Sequence, residues 1–312
     1  MDPLNRLLYI ATKKSFRFLG NLPEAAREYC AVCLGRLLFA VDRKHRRVAI
    51  DNLTRAFGKE KSKAQVARIA REVFVNLFRI TFETAWSLTL PEKRFPQYFH
   101  IWGRSAFQQA QAKGKGVLLL GAHFGNWEVQ MIVAHMMGMP LHVVVRTLDA
   151  AFLDRFVEEY RSRFGAVMIP NQRAAMRKIY AALRKGSPVG MLMDQGVDCY
   201  DGVFIDFFNR RAATNAGMAI LALKSEAPVL PFFLIRKPNG FHAVLGPELP
   251  LIKTGDRTKD IEENTRLYTR VIELYVRKYP EQWFWVHHRW QNRPYCLWPR
   301  GKAIDRSYNR IP

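Results

Sequence analysis

The rhythm of hydrophobic and polar positions changes near residue 95. Before it, residues 25–41 are apolar with isolated charges, and 46–57 and 64–90 repeat apolar residues at helical spacing, so this region reads mostly as helices. After the connector marked by Pro91 and Pro96, short aliphatic runs alternate with amphipathic stretches. The pattern predicts strands over 117–120, 141–145, 167–169 and 189–193, with helices near 126–138, 150–164 and 172–185 between them. Further strands are expected over 232–236 and 241–249, then a long amphipathic helix over 257–279. The fold class implied is α/β: a central, mostly parallel sheet flanked by helices, with a helical N-terminal region (1–95) joined to residues 96–312. In such sheets the strand ends form one rim, where sites form.

Residues 117–120 are bounded by Gly116 and Gly121, and the chain continues as Gly121-Ala-His-Phe-Gly-Asn-Trp-Glu128. His123 falls just past the strand, Gly125 permits a tight turn, and Asn126 suits the cap of the next helix. On one uninterrupted helix, residues five apart differ by about 140° of net rotation and do not share a face. Across a strand–turn–helix junction His123 and Glu128 can converge. A neutral imidazole takes a proton from a hydroxyl, while a carboxylate fixes its tautomer and stabilises the imidazolium. Asn126, Gly125 and the amides of the helix start then shape the turn or meet a developing oxyanion.

Charge narrows the partners. There are 49 basic and 27 acidic residues, a net charge of +22, which calls for nucleic acid, an anionic membrane or an acidic protein. No RRM, zinc-finger or helix-turn-helix signature accompanies it, which argues against nucleic acid. Cys30 and Cys33 have CxxC spacing without a second pair or a nearby histidine, so no metal set is complete; Cys199 and Cys296 stand alone. No stretch reaches the 18 uncharged apolar residues of a clear span. Residues 1–20 place Arg6, Lys13, Lys14 and Arg17 among Leu7, Leu8, Ile10, Phe16 and Phe18, a pattern for an interfacial anchor or for a helix on the protein's own core.

The block 121–128 resembles the signature of the late acyltransferases of bacterial lipid A biosynthesis, the lauroyl/myristoyl transferase family, within a wider glycerolipid acyltransferase superfamily carrying His-x4-Asp/Glu. Other blocks resemble the family in the same order: residues 46–57; Arg146 at a strand end, followed here by Thr147 where the family usually has proline; Asp194-Gln195; the aromatic, basic and Thr–Gly run 207–217; the proline-containing strand from Ala227; and Gln282-Trp-Phe-Trp-Val-His-His-Arg289. The resemblance implies acyl transfer from acyl carrier protein to a hydroxyl of a phosphorylated glycolipid at the cytoplasmic face of the inner membrane, with no cofactor and no metal. Within that frame His123 is the base and Glu128 orients it. Arg146, with Arg210 or Arg211, meets acceptor phosphate, Asp194 and Gln195 orient a hydroxyl or pair with Arg146, Thr214 caps the next helix, and Arg236 is a further anion contact. The terminal Trp-rich block is structural or lines the acyl chain. A lysophospholipid or other glycolipid acceptor, and a non-catalytic lipid-binding protein, are the alternatives. The tail with Arg293, Arg300, Lys302, Arg306 and Arg310 reads as an irregular surface segment.

Overall fold

The computed structural model describes residues 2–171, 174–198 and 202–290. The basic tail lies outside them, as do Cys199 and Cys296. Four helices come first: α1 (Pro3–Gly20), α2 (Glu24–Val41), α3 (Arg43–Phe57) and α4 (Lys63–Thr89). Three of them have a side-chain cap: Asp2 on α1, Asp42 on α3, and a Ser62–Gln65 capping box on α4. Helices α1 and α2 lie against α4 at glycine crossings. A Cβ on Gly35 would stand 2.5 Å from Val75 Cα. Among the described residues no helix is long and apolar enough to cross a membrane.

The remainder alternates as α5 (Phe95–Tyr98), β1 (Phe99–Trp102), α6 (Arg104–Ala112), β2 (Val117–Gly121), α7 (Gln130–Met136), β3 (His142–Val145), α8 (Ala151–Arg163), β4 (Val167–Pro170), α9 (Ala175–Arg184) and β5 (Pro188–Leu192). Then come β6 (Gly202–Phe207), β7 (Arg210–Asn215), α10 (Gly217–Ser225), β8 (Val229–Lys237), β9 (Gly240–Leu245) and α11 (Arg257–Lys278). Seven strands form one sheet in the order β1-β9-β8-β2-β5-β3-β4, and every pairing in it is parallel except β8–β9. The mostly parallel α/β architecture expected from the alternation is the one formed.

Central strand β2 is buried throughout, as a parallel strand covered on both faces must be. Leu118 and Leu120 enter a core built with α3, α4, α9, α10 and α11, whereas Val117 and Leu119 enter a second core with α6, α7 and α8. The chain winds from β2 out to β3 and β4, returns to β5 beside β2, then crosses to β8 on its other side. A crevice therefore opens beyond the C-terminal ends of β2 and β5.

Three features differ from the expectations. β1 and α6 lie between the connector at Pro91 and Pro96 and the first predicted strand, where the pattern predicts no element. The helix expected over 126–138 is confined to Gln130–Met136, because the Asn126 side chain accepts from the Glu128 and Val129 N–H groups and turns the chain first. Residues 202–215 form an antiparallel hairpin, turning at Phe208 and Asn209, both left-handed at φ 53° and 56°. Asparagine tolerates that geometry; phenylalanine does so here because its N–H donates to Glu273 at 2.7 Å and its ring packs on Phe57 and Trp285.

Replacing Gly35 by valine puts a branched side chain into the α2–α4 crossing. The expected result is a loss of roughly 1–3 kcal/mol, read as a lower thermal midpoint in detergent. An unchanged midpoint would show that the close crossing is dispensable.

Candidate active site

The strand register assembles the site. Gly121 on β2 pairs with Leu192 on β5, and His123 and Asp194 each lie two residues beyond that pair. His123 Nδ1 and Asp194 Oδ1 are 2.9 Å apart, and the second Asp194 oxygen accepts from Trp283 Nε1 at 2.7 Å. Trp283 comes from the terminal Trp-rich block, which is bridged to the turn. Gly125 N–H donates to Gln282 O at 2.8 Å, Phe284 N–H donates to His123 O at 3.0 Å, and Phe124 pairs with Trp283. Gly125 has φ 60°, and a Cβ there would stand 1.9 Å from Leu234 O, so both backbone angle and space require glycine. On the other side, Asn52 of α3 donates to Trp285 O at 2.8 Å and His287 O at 2.6 Å.

The electrostatics are set by burial. Burial alone would raise the Asp194 pKa, but the charge and hydrogen bond of His123 outweigh it and hold the carboxyl at about 2. For His123, burial disfavours the imidazolium, yet the Asp194 carboxylate outweighs it and leaves the pKa above the ordinary 6.5. Because Asp194 is ionised, it accepts; Nδ1 therefore carries the proton and Nε2 is the basic nitrogen. The ring is held between Trp127, at 5.2 Å, and Phe284, at 6.1 Å between centroids. Burial pushes the nearby His287 down to about 4, so that ring is neutral.

Glu128 does not make the expected hydrogen bond to His123. Its two oxygens take a bidentate pair from Arg161 of α8, at 2.7 and 3.0 Å, and one also accepts from Trp127 Nε1. Its charge still acts on the ring through space, favouring the imidazolium. Asn126 is fully buried. Its amide donates to Ile80 O and Glu83, and its oxygen holds the turn, so the structure gives it the turn-shaping role and no oxyanion contact. The Gly125 amide is likewise occupied by Gln282 O.

His123 and Glu128 open onto a cavity of about 780 Å³. Its wall is largely apolar, with residues such as Leu119, Met131, Leu141, Val143 and Met168, but Gln130, Asp154, Glu158 and Arg161 also line it, as do Arg146 and Gln195. Arg146 is exposed and paired with Asp149 at 3.2 Å, so it shares the rim with His123 but does not pair with Asp194.

Four expected site residues stand elsewhere. Arg210 donates to Arg55 O at the end of α3, and Arg211 donates to Phe204 O and lies 3.6 Å from Asp206. Thr214 is not a helix cap: it lies inside β7, opposite Val203, and accepts from Arg289 at 2.8 Å. The next helix starts at Gly217, whose N–H is taken by Asn215. Burial pushes the Arg289 guanidinium down to about 10; it bonds Ala213 O and lies over Phe207. Arg236 gives its guanidinium to Glu83 and Asn76, tying β8 to α4 behind Asn126. These arginines satisfy the protein's own acceptors.

Arg161, Trp283 and Asn52 are partners that sequence reading did not single out for these roles. Arg161 is 33 positions beyond Glu128 on an ordinary amphipathic helix, and nothing local marks it. Trp283 did carry a signal, the density of tryptophan in the terminal block.

The comparisons with known proteins bear on this geometry. A family model described as bacterial lipid A biosynthesis acyltransferase matches residues 6–292. Similar curated proteins include the lipid A biosynthesis palmitoleoyltransferase of Escherichia coli (strain K12), 26% identical over 279 residues and 88% of each chain. The lipid A biosynthesis lauroyltransferase of the same organism is 27% identical over 266 residues, 84% of each chain. A phosphatidylinositol mannoside acyltransferase of Mycolicibacterium smegmatis is 23% identical over 194 residues, covering 61% of this chain and 60% of its own.

Removing the Asp194 charge tests the pairing. In Asp194→Asn the burial that disfavours imidazolium remains while its counter-charge is gone, so the His123 midpoint should fall from above 6.5 to below it. Titration of labelled histidine by NMR reads this directly. A midpoint that stays put would show that Asp194 does not set the charge of the ring.

Proposed function

The chain belongs to the bacterial lipid A biosynthesis acyltransferase family, and from that premise we propose that it moves a lauroyl or myristoyl chain from acyl carrier protein to a hydroxyl of a phosphorylated lipid A precursor. That it is an acyltransferase follows from the family; donor, chain length and mechanism are our reading. The observation that carries it is the dyad of a half-buried His123 and a buried Asp194, with His123 lining a largely apolar cavity.

In this mechanism the Nε2 of His123 removes the acceptor hydroxyl proton as the oxygen attacks the thioester carbonyl. The tetrahedral intermediate collapses, the C–S bond breaks, and the imidazolium returns its proton to the leaving thiolate. Asp194 stays ionised and fixes the ring, and Glu128 adds a stabilising charge beside it. Arg146 and Gln195, at the rim, meet the phosphate and a hydroxyl of the acceptor. The acyl chain lies along Leu119, Leu141 and Met168. No cofactor or metal has a part in these steps. A second reading, transfer to another glycolipid, draws support from the similarity to the mycobacterial phosphatidylinositol mannoside acyltransferase.

The protein works, on this reading, at the cytoplasmic face of the inner membrane, resting on α1 and α2. Leu4, Leu7 and Phe18 of α1 and Tyr29, Leu37 and Val41 of α2 are all more than half exposed, an arrangement costly in water and suited to a lipid interface. Arg6, Lys14 and Arg17 on α1 suit anionic headgroups.

The test is transfer of a labelled lauroyl or myristoyl chain from acyl carrier protein to a Kdo-bearing lipid A precursor. His123→Ala should lower the rate by roughly 10²–10⁴-fold. Transfer that survives this change would sink the mechanism, and transfer to a lysophospholipid alone would discard the acceptor. The double variant Leu7→Asp, Phe18→Asp should no longer co-float with anionic phospholipid vesicles; undiminished co-flotation would refute the interfacial role of α1.

A further inference from the structure

Helix α9 presents a surface that the fold does not explain. Its inner residues Ala175, Ile179, Ala182 and Leu183 are buried against the sheet. Its outer positions Arg177, Lys178, Ala181 and Arg184, with Lys185 just beyond, are all exposed. The spacing i, i+1, i+4, i+7, i+8 puts them on one face. Residues 175–184 contain no carboxylate.

Some exposed cations elsewhere are answered by an acid, among them Lys13 by Glu159, Lys113 by Glu248, and Lys115 and Lys253 by Glu226, while others, such as Arg43, Lys44 and Arg47 at the start of α3, are not answered among the described residues. None of the four cations of this stripe has an ion-pair partner among the described residues. On α10, Lys224 lies over the Tyr180 ring at 4.8 Å and extends the patch. Arg177 and Lys178 sit near the start of the helix, where the macrodipole favours acids, so local stability does not account for them.

Location narrows the partner. α9 follows β4, whose last residue, Pro170, lines the cavity together with Arg146 and Gln195. The helix belongs to the core on one face of the sheet, whereas Tyr160 of α8 belongs to the core on the other. Helix α1 packs on α8, with Phe16 4.5 Å from Phe156 and Lys13 paired with Glu159. The stripe is thus on the opposite side of the sheet from α1, and on α9 the one large hydrophobic residue exposed is Met176, unlike the several on α1 and α2, which favours a soluble acidic protein over a lipid surface.

We propose that the basic face of α9 is the docking surface for the acidic carrier protein that brings the acyl thioester. This rests on the carrier-dependent transfer proposed above. The stripe steers an acidic helix electrostatically, and Met176, 38% exposed beside it, supplies an apolar contact. Docking there sets the carrier beside the rim, from which its flexible arm delivers the acyl chain past Pro170 and Gln195 toward His123.

The experiment compares two donors of the same acyl chain, acyl carrier protein and a small pantetheine thioester, with full-length protein in detergent. In the double variant Arg177→Glu, Lys178→Glu, the KM for the carrier-borne donor should rise about tenfold or more, while turnover of the pantetheine thioester is unchanged. That second rate also reports that the variant is folded. Added salt should raise the carrier KM of the original protein and have little effect on that of the variant. An unchanged carrier KM, or equal losses with both donors, would overturn the proposal. If the variant instead loses binding to anionic phospholipid vesicles and keeps its carrier KM, the stripe belongs to lipid and the docking proposal is wrong. An unmodified protein that uses only the small thioester would refute the carrier-dependent reading itself, a result separate from the others.

Discussion

A buried negative charge organises this structure. Asp194 is 2% exposed, and a lone carboxylate there would protonate or leave the interior. It remains ionised because both oxygens have a hydrogen-bonded partner, one of them able to become a cation. Those partners come from distant parts of the chain, His123 after β2 and Trp283 after α11. The β2–β5 register, the Gly125 turn and the seating of the Trp-rich block must therefore all be correct for the charge to be tolerated.

The supporting shell explains features that look unrelated along the chain. Asn52 holds the carbonyls of the terminal block, so α3 backs the site without touching it. Glu83 accepts from both Asn126 and Arg236, linking the turn, α4 and β8 in one half-buried polar network. Arg289 anchors the same block to the β6–β7 hairpin through Ala213 and Thr214. A site fixed from three sides loses little geometry when one contact relaxes, which would suit the base of the proposed mechanism.

The two faces of the sheet are built differently. One bears the cavity beneath α7 and α8, with α1 packed against α8. The other bears α9 and its uncompensated cations. Under the proposed function, such a division would let a lipid-derived acceptor and a soluble donor approach one rim from different sides.

The sequence by itself determined the architecture and the position of His123. Aliphatic runs bounded by glycine are buried strands whatever their neighbours, and the switch from helical spacing to alternation is a local property, so the α/β class and His123 at the end of β2 were legible. The partner of that histidine was not. Glu128 is close in sequence, but the turn held by Asn126 carries it to Arg161, while register brings Asp194 across from β5. Thr214, Arg210, Arg211 and Arg236 show the same limit: their types suit a phosphate, yet the tertiary structure commits them to internal acceptors. Residue type fixes what a side chain is able to bind, whereas strand pairing and packing decide which group is within about 3 Å of it.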